Sequence, residues 1–296
     1  MTQIDRPNLG IFLRILSGLL GAGLFVCVKA LSEDVPLGEI VFFRSFFALI
    51  PLIVFLYVRK EFPQGLATKR PFGHFARASL GALAMFASFA AVARLSLAEA
   101  ILIAQLSPII MAVIAAFFLS EHLTPWRIGG LALGFTGVIV LIWPDLVLGQ
   151  ANEERLLGYG IGLLAAVLTA CALTMVRSLN RTESPGAIAL YFVVASMVGA
   201  LLTLPWGWIV PSGTTLMLLV ASGLFGGFMH IAMTLAFRYA EASRLAPFEY
   251  IALIWPLLAD LLIFDLPLST SFWLSAPIVL AGAALAASEG RKVKTT

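Results

Sequence analysis

The chain has 296 residues, 60% of them hydrophobic and only 12% charged, with a mean hydropathy of +1.00 and a net charge of +3. A soluble domain needs about twice that charged fraction to cover its surface. The composition therefore excludes the soluble class, and no stretch is apolar-poor enough for disorder.

A spanning helix needs about 20 mostly apolar residues. Read in chain order, ten segments of the sequence qualify. The first, 9–29, follows a single basic residue, Arg6, and has no small-residue cleavage site near its end, so it reads as a retained helix. The second, 37–58, carries Arg44 within it. The third, 72–93, aligns Phe75, Ser79, Ala82, Phe86, Ala90 and Ala93 on one stripe, with Phe89 nearby. The fourth, 97–119, aligns Ile101, Gln105, Pro108, Ala112 and Ala116. The fifth, 125–143, contains Gly130-x-x-x-Gly134, and the sixth, 157–177, opens on Gly158-x-x-x-Gly162. Both patterns fit close helix packing. The seventh is 186–205. The eighth, 213–237, aligns Gly223, Gly226, Gly227, His230, Thr234 and Phe237. The ninth, 245–264, aligns Glu249, Leu253, Pro256 and Asp260, with Tyr250 at the edge of the stripe. The tenth is 271–288.

With the N-terminus in the cytoplasm, cytoplasmic ends and loops hold 15 of the 19 basic residues. The other side holds Lys29, Arg94 and Arg155, and Arg44 lies within a span. The positive-inside bias thus places both termini in the cytoplasm. A five-span unit that starts inside ends outside, so a second copy is inverted. The expected architecture is all-α, with two inverted five-helix repeats at 1–149 and 150–296 around a central cavity, as in secondary transporters.

The run Pro108-Ile-Ile-Met-Ala-Val-Ile-Ala-Ala-Phe-Phe-Leu-Ser-Glu121, then Leu123-Thr124, Gly129-Gly130 and Gly134-Phe-Thr-Gly137-Val138, resembles the EamA domain of the drug/metabolite transporter superfamily. The second half resembles the same unit more loosely, with Asp265 where a Glu is expected and Ala252 where a Pro is expected. The resemblance implies a multi-pass protein of a bacterial-type inner (plasma) membrane. It implies carriage of amino acids, nucleotide-linked compounds or other metabolites. It also implies that the third, fourth, eighth and ninth helices surround the cavity.

The stripes mix small, aromatic and polar residues, unlike a lipid face of Leu, Ile, Val and Phe. Ionisable residues within spans are costly and mark function. The expected substrate-binding residues are Ser79, Phe86, Phe89, Gln105, His230, Thr234, Phe237, Glu249 and Tyr250. Glu249 would hold an ammonium, and His230 a carboxylate. Glu249 could instead only anchor a helix end, and His230 could be a neutral core histidine. Pro108 and Pro256 break the fourth and ninth helices and free the carbonyls of Ala104 and Ala252, which suits gating or a static kink. Arg44 and Asp260, both toward the outer side, are expected to form a structural ion pair.

No ATP-binding loop, metal-ligand spacing or nucleic-acid surface is present, so no cofactor or metal is expected. The expected function is secondary transport rather than catalysis. Export of amino acids, including aromatic ones, is the first substrate class. A nucleobase, an adenosyl-sulfonium compound or a cationic drug is the alternative. The expected partners are a small-molecule substrate and the lipid bilayer, with the chain a monomer or homodimer.

Overall fold

The computed structural model describes residues 6–118, 124–147, 149, 152–180, 182–240, 245, 248 and 250–287. All regular structure among them is helical. The first half supplies α1 (Pro7–Leu31), α2 (Leu37–Val58), α3 (Pro71–Arg94), α4 (Leu97–Ala104), α5 (Leu106–Phe118) and α6 (Pro125–Val147). The second half supplies α7 (Glu153–Leu179), α8 (Pro185–Leu201), α9 (Gly213–Tyr239), α10 (Ile254–Leu262) and α11 (Thr270–Ala287). Short 3-10 turns lie at Gln64–Leu66, Leu204–Trp206 and Tyr250–Leu253.

The helix starts follow local chemistry. Pro7, Pro71 and Pro185 open α1, α3 and α8, where a missing N–H costs nothing and φ is preset. Ser96, Asn152, Ser184 and Ser212 cap α4, α7, α8 and α9 by accepting from a first-turn N–H. Ser96 and Glu99 cap each other's backbone reciprocally.

Six of these helices (α1, α2, α3, α6, α7 and α9) are long and apolar enough to cross a membrane. Leu97–Met111, Pro185–Leu201 and Thr270–Ala286 are shorter apolar helices. One core runs through the bundle, with Val28, Ile40, Leu56, Leu97, Leu102 and Leu106 fully buried. Outside it, Phe12, Val58, Phe72, Leu83, Ile139 and Leu202 are exposed. An apolar surface this extensive matches hydrocarbon rather than water.

The principal packing pairs are α1 with α9, α3 with α7, α6 with α11, α2 with α8 and α9, and α3 with α8. Helices α4 and α5 pack on α7, and α10 with its preceding 3-10 turn packs on α1. The α6–α11 pair is a backbone contact. A Cβ on Gly130 would lie 2.6 Å from the Gly282 carbonyl oxygen, and one on Gly282 would lie 2.7 Å from that of Gly130. The glycine pattern of the fifth span thus serves close packing, as its spacing predicts.

Candidate functional site

The fourth and ninth spans are interrupted next to their prolines. Pro108 cannot donate to the Ala104 carbonyl. Accordingly α4 ends at Ala104, and half-buried Gln105 separates it from α5. The Gln105 N–H is shared between the carbonyls of Ile101 and Leu102, at 3.2 Å each. Pro256 deprives Ala252 in the same way, and there Tyr250–Leu253 is a 3-10 turn before α10 begins. Pro108 is exposed and Pro256 buried.

Asp260 does not pair with Arg44. Its Oδ1 accepts from the Leu97 N–H at 3.0 Å and its Oδ2 from the Ala98 N–H at 2.7 Å. These are first-turn donors of α4, which have no partner inside their own helix. The positive end of the helix dipole also lies there. The expected ion pair gives way to a cap from α10 onto α4, because two otherwise orphaned N–H groups take up both Asp260 oxygens.

Arg44 turns instead toward α9. It leaves α2 about 10 Å along the helix from Leu37. Its Nη2 lies 3.4 Å from Nε2 of His230. Its guanidinium lies over Gly226, where a Cβ would come within 3.1 Å of Nε and Nη2. Arg77 on α3 folds over Gly81, where a Cβ would collide with its Nη1. Its Cζ sits 4.5 Å from the centroid of the Phe192 ring on α8, a cation–π contact. His230 lies within the electrostatic reach of both arginines. Nε and Nη1 of each arginine are buried without a hydrogen-bond partner. Among the described residues no carboxylate forms an ion pair with either guanidinium. Residues on α2, α3, α8 and α9 therefore set His230 within electrostatic reach of two arginines that form no ion pair among the described residues.

Sequence reasoning missed Arg77. Six residues after Pro71, it passes for one of the basic residues of a cytoplasmic helix end. The available signal was Gly81 one turn further on, which leaves room for a long side chain to lie along the helix.

A cavity of about 430 Å³ is lined by the 32–37 connection, Ile40, Ala90, Ala93 and Arg94. Ile40 is one turn from Arg44 on α2, and Ala90 one turn from Phe86 on α3. The upper part of the expected third-span stripe thus lines open space. Its lower members Ser79, Ala82 and Phe86 are half-buried, while Ala78, Met85 and Val92 behind them are buried. Phe89 falls on that buried side. It is 2% exposed and meets Phe25 edge-on at 6.0 Å, so it is a core residue rather than a lining one. A small cavity of about 30 Å³ lies between Phe25, Ile101, Ala104 and Gly162.

On α9 the Thr234 hydroxyl donates back to the His230 carbonyl at 2.8 Å. Thr234 and Phe237 are exposed, one and two turns beyond His230. Glu249 and the Tyr250 side chain lie outside the described residues.

The cavity end of the bundle carries an ionic belt. Lys29 Nζ donates to the carbonyls of Leu95 at 2.7 Å and Val92 at 3.2 Å, closing the end of α3. Arg94 pairs with Glu154 at 2.9 Å. Arg155 bridges Glu99 at 2.6 Å and Asp145 at 2.8 Å, and the Tyr159 hydroxyl donates to Asp145 at 2.7 Å. Lys29, Arg94 and Arg155 are the three residues that run against the charge bias of the loops. Each has a local partner, which explains its place.

Residues 8–143 match the EamA-like transporter family. The riboflavin transporter of Rhizobium johnstonii is 28% identical over 93% of this chain and 90% of its own length. The pseudopaline exporter CntI of Pseudomonas aeruginosa is 29% identical over 85% and 86%, respectively. The S-adenosylmethionine uptake transporter of Rickettsia felis is 27% identical over 81% and 79%. A solved crystal structure superposes with a TM-score of 0.67 at 20% identity, covering 97% of this chain and 99% of its own. That last likeness is one of fold.

Proposed function

We propose that this chain, whose first half belongs to the EamA-like transporter family, is a secondary transporter of small metabolites working by alternating access. It is a multi-pass membrane protein, and its relatives are small-molecule transporters. In this reading it has ten spans in two inverted repeats, 1–149 and 150–296, with both termini on the cytoplasmic side of an inner membrane. The packing supports the repeat. Exchanging the halves turns the α1–α9 pair into α7–α3 and the α2–α9 pair into α8–α3. The same exchange turns the contacts of α4 and α5 with α7 into those of the ninth span with α1, and leaves α6–α11 and α2–α8 in place. Such pseudo-symmetry gives a carrier two conformations of similar energy, one open to each side. In this reading the proline breaks at Pro108 and Pro256 act as the gates.

The observation that carries the proposal is the placement of intramembrane polar groups at the junction of the two halves: Arg44 and Arg77 from the first, His230 from the second. Groups of this kind are kept inside a membrane for a pathway. We take amino acids, including aromatic ones, moved outward, as the first substrate class. Ser79, Phe86, Gln105, His230, Thr234, Phe237, Glu249 and Tyr250 would contribute to the site. An adenosyl-sulfonium compound is the alternative that the Rickettsia felis relative favours. The relatives' printed names include both an exporter and an uptake system, so direction does not carry over.

Uptake of radiolabelled amino acids into proteoliposomes tests this, with wild type, Glu249→Gln and His230→Ala side by side. Saturable wild-type uptake that collapses in Glu249→Gln supports an amino-acid carrier with a carboxylate at its site. Uptake that survives both substitutions keeps the carrier and removes those two residues from the site. No uptake of any amino acid by inserted, folded protein overturns the substrate class.

A further inference from the structure

Two arginines inside the bundle that meet no carboxylate among the described residues need an explanation. A buried cation without a partner is strongly destabilising. In the bilayer interior water cannot supply the missing bonds. Arg44 is 3% exposed, and two nitrogens on each guanidinium lack acceptors. The fold nevertheless builds in room for both, through Gly226 under Arg44 and Gly81 under Arg77. Phe192 supports the second guanidinium from its face, and His230 adds a further nitrogen beside the first. The 430 Å³ cavity reaches Ile40, one turn from Arg44 on the same helix.

We propose that Arg44, Arg77 and His230 form an anion-binding subsite that holds an oxyanion of the transported molecule, a carboxylate or a phosphate ester. This rests on the transporter reading. The ligand supplies the charge and the acceptors that the two guanidiniums lack among the described residues, and on α3 Ala82, Phe86 and Ala90 share a stripe whose upper member lines the cavity. An amino acid or other carboxylate metabolite fits this subsite. A purely cationic drug does not, because it would meet two guanidiniums. The sequence reading assigned His230 alone to a carboxylate. The structure adds the two arginines, which carry the charge.

The test is thermal unfolding of the full chain in a non-ionic detergent, with sodium acetate, sodium phosphate or ethylammonium chloride at ionic strength matched by sodium chloride. Wild type is compared with Arg44→Gln, Arg77→Gln and Glu249→Gln. Acetate or phosphate at about ten times its dissociation constant should raise the wild-type Tm by about 3 °C. Ethylammonium should not. Arg44→Gln and Arg77→Gln should lose the shift. Without added anion they should unfold no earlier than wild type, because each removes an uncompensated charge. A response to acetate assigns a carboxylate, and a response to phosphate alone assigns a phosphate ester. If Arg44→Gln folds poorly, Arg77→Gln carries the comparison, since its guanidinium lies against Gly81 and the Phe192 ring with no hydrogen bond to its Nε or Nη1 among the described residues. The proposal is overturned if no anion shifts the wild type, or if the shift survives both arginine variants. It is also overturned if the arginine variants lower Tm in wild type but not in a Glu249→Gln background, which would make Glu249 an internal counter-ion. Proteoliposome uptake with the same proteins separates the two levels. Uptake without an anion shift removes this subsite and keeps the carrier. An anion shift without uptake of any amino acid keeps the subsite and returns the carried substrate to other carboxylates or phosphates.

Discussion

Removing the Asp260 carboxyl should destabilise the protein independently of Arg44. The first-turn donors of α4 are fully accounted for. Ala100 N–H reaches the Ser96 carbonyl at 3.0 Å, and Glu99 N–H reaches the Ser96 hydroxyl at 3.2 Å. Leu97 and Ala98 depend on Asp260. Among the described residues the neighbouring acceptors are already used, Ser96 and Glu99 capping each other and Glu99 also accepting from Arg155. A hydrogen bond to a charged acceptor contributes about 1.5–3 kcal/mol. Asp260→Ala should therefore cost about 3–6 kcal/mol, and Asp260→Asn, which keeps one oxygen, about half of that. Unfolding in mixed micelles, with Tm as a second probe, measures both. The decisive readout is a double-mutant cycle with Arg44→Ala. Separately placed residues should give a coupling energy under about 0.5 kcal/mol. A coupling of several kcal/mol would mean that the two side chains form a buried ion pair after all, and the capping argument would fail.

Two further outcomes follow from the packing and from the loop at the other end of the bundle. Gly130→Leu or Gly282→Leu should sharply reduce folded yield in detergent, because each puts a side chain into backbone of the facing helix 2.6–2.7 Å away; an unchanged Tm in either variant would disprove that close approach. Burial works to raise the Glu183 carboxyl, but hydrogen bonds from Thr68, His74 and the Lys69 N–H overcome it and hold the group below the ordinary carboxylate range. A depressed native pKa stabilises the fold above the unfolded value of about 4.3 and is lost as pH falls through the native value. Tm should therefore drop more steeply below about pH 4.3 in wild type than in Glu183→Gln, and parallel acid limbs would exclude the effect.

Much of the fold was legible because bilayer physics writes it into composition. The second span was read at 37–58, and α2 is Leu37–Val58. Pro7, Pro71 and Pro185 mark helix starts by a local rule, and Ser96 with Glu99 forms a recognisable box. Proline chemistry also located the breaks in the fourth and ninth spans, at Gln105 and Leu253. The match over residues 8–143 bears out the family resemblance carried by Pro108 to Val138. The third-span stripe was read one shade too broadly. At 100° per residue Phe89 falls at the edge of the stripe toward buried Ala78, and its contact with Phe25 makes it a core residue.

The site was less legible, because it depends on where long side chains end rather than on where they start. A helical wheel places a Cα, whereas a guanidinium ends about 6 Å from it, one turn up or down the helix. Arg77 starts near a helix end and therefore looks like part of the charge bias. Its charge ends over Gly81 and Phe192, inside the bundle. The span count sets Arg44 and Asp260 toward the same side and they carry opposite charge, which makes them look like partners. Arg44 ends on α9 beside His230, and Asp260 ends on the backbone of α4. A carboxyl of two oxygens that meets two aligned N–H groups, with the Lys29 ammonium in electrostatic reach, needs no guanidinium. Asp260 thus spends both oxygens on α4 while Arg44 turns to α9, so the two residues serve separate ends of the structure.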